Sequence, residues 1–490
     1  MTDSDAPADT DTAADTATAD AEEPFPDVVE AARALLATGP LCDHCLGRPF
    51  AERSFGLGNR ERGEGLRVAV ALADDADFDG GSGAGPNRSD GEQRRDDPGD
   101  PGAAADCWVC EGVFERLDEF AERAADAVAD YEYDTYQVGT RVPPLAEEND
   151  RLLREDAGMA PDAGEPLRKE LNREVGKRVG RATGATAEFE RPHVQFLLDV
   201  DADRVEATVN SAHVYGRYQK LERDIPQTEW PCSDCRGSGR QGREECDTCD
   251  GSGYLYPESV EQLTAPVVEE VMAGVDATFH GAGREDVDAL MLGTGRPFVI
   301  EVDEPRRRDI DTDRLEGDIN AFADGKVEVE GLRPCEHTMV ERVKELDATK
   351  RYRASVAFGS DVPAEALADA VAELDGATVE QYTPSRVDHR RAAKTRTRVA
   401  HEVTAEREDA RHAAVEVHGA GGLYIKELIS GDEGRTEPSL AGLLGVDATV
   451  TALDVLAVEG RDEPFEREEF FLRGTADRGD DDPETNNGGE

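Results

Sequence analysis

Residues 283–302 read "GREDVDALMLGTGRPFVIEV", an apolar run with two carboxylates near its start. An almost wholly apolar stretch from 287 to 292, the turn-forming Gly293-Thr294-Gly295, and a second largely apolar stretch from 297 to 302 predict a β-hairpin. Asp286 and Asp288 lie at the mouth of this hairpin. A carboxylate in such a place is either a structural group held in a salt bridge or a reactive group in a site.

The chain is strongly acidic, with 109 acidic and 55 basic residues among 490 and a formal net charge of −54. Only eight of the basic residues are lysines, and 47 are arginines. This composition resembles that of proteins from extreme halophiles, in which molar salt shortens the Debye length to ~3 Å and screens overall repulsion. The acidity therefore indicates the habitat of the organism and does not exclude a polyanionic binding partner.

Residues 1–25 and 476–490 are acidic and polar, and we expect both to be disordered tails. The first stretch lacks the apolar core of a signal peptide, and no segment of the chain approaches membrane-spanning length. We therefore expect a cytoplasmic protein without a membrane partner. The length predicts several domains, at least one of them with a large core.

Eight of the nine cysteines form Cys-x-x-Cys pairs, which in an intracellular protein favour metal binding over disulfides. The first two pairs are Cys42 with Cys45 and Cys107 with Cys110. A Gly-rich polar segment at about 74–106 separates them, and we interpret it as a disordered insertion in an N-terminal zinc module, 26–130. A shared Zn²⁺ is favoured over two independent redox or packing pairs.

The other two pairs are close together in "CSDCRGSGRQGREECDTCDGSG", as Cys232, Cys235, Cys246 and Cys249. Glycines beside them allow the backbone to wrap tightly and to point amides at sulfur. We predict a zinc knuckle at 226–258, since the doubled spacing disfavours a reactive dithiol. Cys335 is left over as a core thiol.

Three segments carry basic residues that could meet a polyanion. Residues 167–183 predict an amphipathic helix with an apolar stripe of Leu167, Leu171, Val175 and Val179 and a basic stripe of Lys169, Arg173, Lys177 and Arg181. Residues 386–398 carry a net charge of +5, and Arg306, Arg307 and Arg308 are consecutive. Such local excess favours RNA or DNA binding, and the alternative is a solvated face or a surface ion-pair network.

Several motifs occur together in the order of a known family. They are "VYGRYQKLERDIPQTEWPC" (214–232), "YPESVEQL" (256–263), "GREDVDALMLGTGRPF" (283–298), "TPSRVDHRRA" (383–392) and "GGLYIKELISGDEGRTEPS" (421–439). With the N-terminal cysteine pairs, they resemble the archaeal and eukaryotic tRNA pseudouridine synthases numbered ten. The similarity extends from about residue 26 to 475.

The resemblance implies an α+β protein. An accessory region with zinc and a THUMP-type RNA-binding domain, placed at 131–225, would precede an α/β catalytic domain at 259–475 on a mixed, largely antiparallel sheet. The residues after 259 alternate strand-like and helix-like patterns, as such a domain requires.

The reaction that the resemblance implies breaks the N1–C1′ bond of uridine, turns the base, and joins C5 to C1′. It requires an ionised carboxylate beside the sugar and no organic cofactor or cosubstrate. Pseudouridine synthases carry this aspartate in a Gly-Arg-x-Asp-like loop leading into a strand, which selects Asp286. Arg284 lies two residues earlier and could hold the carboxylate charged.

The base must leave the RNA stack, so the pocket needs a flat surface that receives it. By resemblance Tyr352 stacks on the flipped uracil and Tyr424 supports the same pocket. Arg306, Arg307, Arg308, Arg390 and Arg391 would bind the tRNA backbone. The implied targets are uridines 54 and 55 of the T-arm loop, and we expect a monomer.

Two other classes of function remain possible on the sequence. A non-catalytic zinc-containing RNA-binding protein could use the same basic segments, with an inert Asp286. Another THUMP-bearing tRNA enzyme, a methyltransferase or a thiouridine synthase, would need a cofactor loop or a Ser-Gly-Gly-x-Asp loop, and we find neither.

Overall fold

The computed structural model describes residues 27–76, 106–387, 392–460 and 465–472. The predicted tails and most of the predicted insertion lie outside these residues. The described residues fall into two compact units. The first contains residues up to 127, 137–187 and 196–206, and the second contains 128–136, 188–195 and the residues from 207 onward.

The first unit is mainly helical. Its helices are Val28–Ala37, Asp43–Gly47, Asn59–Ala73, Leu117–Ala127, Pro144–Asp156 and Leu167–Thr183. A four-stranded sheet has the order β2-β1-β3-β4, with β1 Thr135–Arg141, β2 Thr186–Ala187, β3 Val194–Asp199 and β4 Arg204–Val209. The first helix begins after Asp27 because that side chain accepts hydrogen bonds from the amides of Val29 and Glu30.

The predicted amphipathic helix is present at Leu167–Thr183, and its four apolar stripe residues are all buried. It ends at Gly184, whose φ of 78° allows the left-handed conformation that closes a helix. Two members of the basic stripe are in ion pairs: Arg173 contacts Glu165 at 2.9 Å, and Lys177 contacts Glu174 at 3.0 Å. Much of the positive charge on this face is therefore neutralised within the protein.

The second unit is built on a ten-stranded sheet of order β10-β5-β9-β16-β11-β14-β13-β12-β15, with β8 pairing to β9. The strands are β5 Ala212–Lys220, β8 Asp276–Gly281, β9 Leu290–Asp303, β10 Val327–Cys335, β11 Ala348–Phe358, β12 Thr378–Tyr382, β13 Thr395–Arg407, β14 His412–Gly419, β15 Thr436–Glu437 and β16 Ala448–Gly460. Strands β9 and β16 are parallel, whereas the other pairs are antiparallel. The predicted mixed, largely antiparallel sheet is confirmed.

Helices cover this sheet and form apolar cores with it, two of them large and a third, smaller one under Thr338–Glu345. The helices are Val260–Met272, Thr312–Phe322, Thr338–Glu345, Ala364–Leu374, Ile425–Ser430 and Leu440–Leu444. One core joins the helices Val260–Met272 and Thr312–Phe322 to strands β5, β8, β9 and β10. The other joins the helix Ala364–Leu374 to strands β11 to β14. Tyr352 on β11 packs against both cores, at the centre of the sheet.

The predicted hairpin at residues 287–302 is wrong. Leu290–Asp303 is one strand, in which Met291 pairs with Lys220 of β5 and Arg296 pairs with Tyr218. The residues between them form a bulge, and Gly293 and Gly295 have φ of 60° and 67°. A Cβ on Gly293 would lie 2.0 Å from the carbonyl oxygen of Leu456. Glycine is therefore needed here because the backbone of β16 passes close by, and the chain does not reverse at this position.

Strand β5 lies inside the segment that the sequence assigned to the RNA-binding domain. Its hydrogen bonds, however, go to β9 and β10 of the large sheet. Two further short strands, β6 Arg240–Gln241 and β7 Glu244–Glu245, pair between the third and fourth cysteine pairs. In the described part of the chain, no helix has the length and hydropathy needed to cross a bilayer.

Candidate active site and metal centres

The loop between β8 and β9 carries Asp286, and its backbone is fixed from behind. Arg296 donates to the carbonyl of Ala282 at 2.8 Å, and Gln227 donates to the carbonyl of Gly283 at 2.8 Å. Lys220 Nζ, which is fully buried, donates to the carbonyl of Val287 at 3.0 Å. Buried donors satisfied by loop carbonyls hold the main chain in one conformation.

Glu285 points into the protein from this loop. Its carboxylate is 1% exposed, lies 2.9 Å from Arg296 Nε, and accepts a hydrogen bond from the Tyr218 hydroxyl at 2.9 Å. Lys220 Nζ lies 3.8 Å from the same carboxylate. A buried carboxylate is tolerated only with such partners. The next side chain, Asp286, is half-exposed and faces solvent instead.

Asp286 is half-exposed and lies between two cations. Its Oδ2 is 3.2 Å from Lys426 Nζ and 3.4 Å from Arg386 Nη1, with 39% of the side chain exposed. Arg386 also donates to Glu427 at 2.7 Å. Burial disfavours the charged form of Arg386, but the hydrogen bond to Glu427 and the charges of Glu427 and Asp286 outweigh it and raise its pKa. Asp286 is therefore an accessible carboxyl group in contact with two cations.

Asp288 also contacts Lys426, at 3.0 Å, but is 62% exposed. Partial burial opposes its ionisation, and the hydrogen bond and charge of Lys426 overcome this and lower its pKa. Arg284 was predicted to hold Asp286 charged. It is exposed, and among the described residues the cations within 4 Å of Asp286 are Arg386 and Lys426 instead.

Tyr352 lies half-buried on β11, the strand at the centre of the sheet. Burial raises the pKa of Tyr352 to about 12; the cation of Arg296 opposes this rise and the negative charge of Asp286 adds to it. Tyr352 and Asp286 are thus within electrostatic reach of each other. The phenol keeps its proton at neutral pH, which suits a hydrogen-bond donor or a stacking surface better than a base.

Tyr424 is half-buried directly before the helix Ile425–Ser430. Its backbone amide donates to the side chain of Gln381 at 2.9 Å, and Gln381 donates to the Tyr424 carbonyl at 2.9 Å. This reciprocal pair holds residue 424 to β12. Tyr424 is among the groups that raise the pKa of Arg386, so Tyr424 lies near the cation that contacts Asp286.

The predicted phosphate-binding arginines are far from Asp286 or undescribed. Arg306, Arg307 and Arg308 follow the other end of β9. That strand has 14 residues, which would span roughly 45 Å at ~3.3 Å per residue and span less here because of the bulge. Arg306 and Arg307 are exposed, whereas Arg308 donates to the carbonyl of Asn210, and burial lowers the pKa of Arg308 to about 10. Arg390 and Arg391 lie outside the described residues.

Sequence reasoning missed the groups that surround Asp286: Lys220, Glu285, Arg296, Arg386, Lys426 and Glu427. One signal could have found some of them. The chain has only eight lysines, and three of these, at 220, 350 and 426, lie around this loop. A composition that replaces lysine by arginine almost everywhere keeps lysine where a compact ammonium is needed.

The four cysteines of the first two pairs come together in the first unit. Their sulfur atoms all lie within 4.8 Å of one another, and Cys42 Sγ is 3.6 Å from Cys110 Sγ. A tetrahedron with Zn–S bonds of about 2.3 Å has edges of about 3.8 Å, which this separation fits. Arg48, fully buried, donates to Cys45 Sγ at 3.1 Å and would offset the charge of a tetrathiolate centre.

The other four cysteines form a second buried group in the second unit. Cys232 Sγ lies 3.9 Å from Cys246 Sγ, and Cys235 Sγ lies 3.7 Å from Cys249 Sγ. The amides of Gly239 and Gly253 donate to Cys235 and Cys249, at 3.3 and 3.2 Å. Both sets of ligands fit a tetrahedral metal ion with thiolate preference. Cys335 is buried elsewhere, and burial raises its pKa to about 12.

The chain is similar to known proteins of one family over most of its length. Residues 213–459 match the family model "Pus10, C-terminal", and residues 120–199 match "Pus10 THUMP domain, archaeal". A tRNA pseudouridine synthase Pus10 of Halorubrum lacusprofundi is 67% identical over 91% of this chain and 99% of its own length. That of Methanothrix thermoacetophila is 42% identical over 89% and 95%.

Among solved structures, a chain of "Crystal Structure of a Cbf5-Nop10-Gar1 Complex" covers 42% of this chain and 46% of its own length. Its TM-score of 0.26 and identity of 17% are too low for a comparison of folds. The matched families and the mixed α/β architecture define a tRNA-modifying enzyme of the pseudouridine synthase class with a THUMP domain. The chain belongs to the Pus10 family of tRNA pseudouridine synthases.

Proposed function

We propose that this enzyme isomerises uridines 54 and 55 in the T-arm loop of tRNA, with Asp286 as the carboxylate that acts on the flipped-out nucleotide. The observation that carries the proposal is the setting of Asp286. Its backbone is held by buried donors, and its half-exposed carboxylate lies 3.2 and 3.4 Å from two cations. A nucleophile or base needs such an ionised and accessible group.

The surroundings of Asp286 support a pocket for one nucleotide. Tyr352 offers a flat ring within electrostatic reach of the carboxylate, and Tyr424 is held near Arg386. An extruded base needs an aromatic or apolar surface on which to stack, which a half-buried tyrosine provides. Arg386 and Lys426 would keep Asp286 charged when RNA excludes water from the site, because opposite charges favour ionisation.

The proposal is tested by mapping pseudouridine in a tRNA transcript after incubation with the purified enzyme in high potassium. We expect mass spectrometry of the labelled transcript to detect pseudouridine at both positions, 54 and 55. Transcripts with cytidine at position 54 or at position 55 are matched controls, and each should lose one signal. A signal at other positions only would contradict the proposed target while leaving the family activity intact.

We further propose that both Cys₄ groups hold structural zinc and that the enzyme acts as a cytoplasmic monomer. The sulfur separations near 3.8 Å and the buried donors to sulfur support the metal sites.

Size-exclusion chromatography with light scattering tests the monomer, for which we expect a mass near 53 kDa.

Replacing Tyr352 distinguishes stacking from proton transfer. Because burial raises the pKa of Tyr352 to about 12, the phenol stays protonated, and we expect Tyr352→Phe to keep most of the activity. Tyr352→Ala should lose roughly 10- to 100-fold, since stacking of a base is worth ~1–3 kcal/mol. Single-turnover rates check this: equal losses in both variants would implicate the hydroxyl, and full activity in the Ala variant would remove Tyr352 from the site.

Arg390 and Arg391 are proposed to contact tRNA phosphates, as are Arg306 and Arg307, which are exposed. Replacing both Arg390 and Arg391 by alanine should weaken tRNA binding and reduce the slope of log K against log [salt], because fewer counterions are released. Affinities measured at several potassium concentrations check this. Exposed Arg60, paired with Glu64 in a helix, is the matched control, and Arg60→Ala should leave the slope unchanged.

A further inference from the structure

Lys350 lies next to the Asp286 loop and has no role in the site described so far. It is half-buried on β11, two residues before Tyr352. A Cβ placed on Gly283 of the loop would lie 3.7 Å from Lys350 Nζ and 3.6 Å from Arg296 Nη1. Strand β11 pairs regularly with β14 over residues 350–352, so the side chains of Lys350 and Tyr352 point to the same face of the sheet.

The ammonium group of Lys350 differs from the other two lysines at this site. Lys220 donates to the carbonyls of Ile225 and Val287, and Lys426 contacts two aspartates. For Lys350, no hydrogen bond or ion pair to any residue of the described ranges is present. The ammonium group is half-buried but not sealed from solvent, so a ligand that enters the site can reach it and supply the acceptor.

The charged groups facing Lys350 explain its electrostatics. Burial and then the neighbouring charge of Arg296 lower the pKa of Lys350 to about 8, and the charge of Glu285 opposes this. The carboxylate of Glu285 is already engaged by Arg296 and the Tyr218 hydroxyl, with Lys220 behind it. Glu285 therefore leaves the ammonium of Lys350 available for another anion or dipole.

The reaction creates such an anion where the uracil would stack. When N1–C1′ breaks, the electron pair stays on the base, which carries negative charge on N1 and the ring oxygens until C5 bonds to C1′. The C5 proton then leaves, and N1 gains a proton, so that the product is an isomer of the substrate. A cation that donates to a ring oxygen lowers the free energy of this step without being consumed.

We propose that Lys350 is a catalytic residue whose ammonium group donates a hydrogen bond to a ring oxygen of the flipped uracil and stabilises the departing base. The proposal rests on the proposed function, which places the uracil on Tyr352 beside Asp286. It follows from the position of the ammonium on the same sheet face as that ring and from its lack of another acceptor. It assigns a task to the third lysine at the site.

The first test is Lys350→Met, which keeps the length of the side chain and removes its charge and donors. We expect the single-turnover rate constant to fall roughly 100- to 1000-fold, a typical loss for one donor to a developing oxyanion. The dissociation constant for tRNA should change less than twofold, because one ring oxygen contributes little to binding of the whole RNA. Lys350→Arg, which keeps the charge, should recover part of the rate.

The pH profile is the second readout. Lys350 acts as the protonated form, so the rate of the wild-type enzyme should fall as pH rises through about 8, where Lys350 loses its proton. In Lys350→Arg this decrease should be absent below pH 10, since guanidinium remains protonated there. The exposed Lys344 is the matched control, and Lys344→Met should keep both the rate and the profile of the wild type.

Thermal unfolding separates catalysis from structure. Because the folded-state pKa of Lys350 lies below its unfolded value, the charged form destabilises the fold at neutral pH, and Lys350→Met should raise the Tm at pH 7. A slow but more stable variant supports the proposal. A rate of Lys350→Met within threefold of the wild-type rate overturns it. A loss of rate in Lys350→Met with a lower Tm, together with a wild-type pH profile in Lys350→Arg, also overturns it. An active Asp286→Asn enzyme would instead overturn the proposed function.

Discussion

Asp286→Asn is expected to reduce pseudouridine formation below detection while the protein remains folded and binds tRNA. The amide keeps the shape of the carboxylate but is a far poorer nucleophile and base, and such groups contribute at least ~10²- to 10⁴-fold. The fold should tolerate the change, since each neighbouring cation keeps a second partner: Arg386 keeps Glu427, and Lys426 keeps Asp288. Mass mapping of tRNA, with Tm and tRNA affinity, gives the three readouts.

Asp288→Asn is the matched control, two residues away and in contact with the same lysine. Its side chain is 62% exposed, and an exposed ion pair contributes only ~0–1 kcal/mol. We expect a small change in rate and stability and continued turnover. An inactive Asp288→Asn beside an active Asp286→Asn would show that the wrong carboxylate was chosen. Wild-type activity in both variants would leave the catalytic group unassigned.

Loss of the metal from the Cys₄ groups is expected to have the second large effect. Structural Zn²⁺ contributes apparent free energies of about 10–16 kcal/mol in zinc-finger peptides, as much as the ~5–15 kcal/mol stability of a whole domain. Cys45→Ala removes one ligand of the first centre and the sulfur that receives the Arg48 hydrogen bond. We expect loss of helical circular dichroism and weaker tRNA binding, with one metal ion per chain in place of two.

Elemental analysis and thiol titration provide the measurement. The wild-type protein refolded with zinc should contain close to two ions per chain and protect eight thiols until a chelator is added. Cys335→Ala is the matched control, since this thiol is buried but belongs to neither group, and its metal content should remain two. A wild-type content near zero with freely titratable thiols would contradict both centres.

Local chemistry explains what could be predicted along the chain. The 3.6-residue periodicity of residues 167–183 predicted a helix whose stripe of leucines and valines is buried, because one face of a helix must meet the core. The spacing of the cysteines predicted both Cys₄ groups, since two residues between thiols allow both sulfurs to bind the same ion. The motif around Asp286 predicted a loop that leads into a strand, as found.

The hairpin prediction failed because turn-forming glycines are ambiguous. Gly293 and Gly295 adopt the positive φ that a turn requires, yet the strand continues, since β16 and β5 hold both of its parts in one sheet. Positive φ and the lack of a side chain serve a bulge and a close contact as well as they serve a chain reversal. Only the partner strands decide between these uses.

The amino-acid sequence by itself determined the four cysteine pairs, the amphipathic helix and the family motif that selects Asp286, because each depends on residues close together in the chain. The tertiary structure alone decided which groups act on Asp286. Arg386 and Lys426 lie 100 and 140 residues further along and replace the neighbour Arg284. Ion pairs form between groups that the sheet brings within ~4 Å, and separation along the chain does not determine that distance.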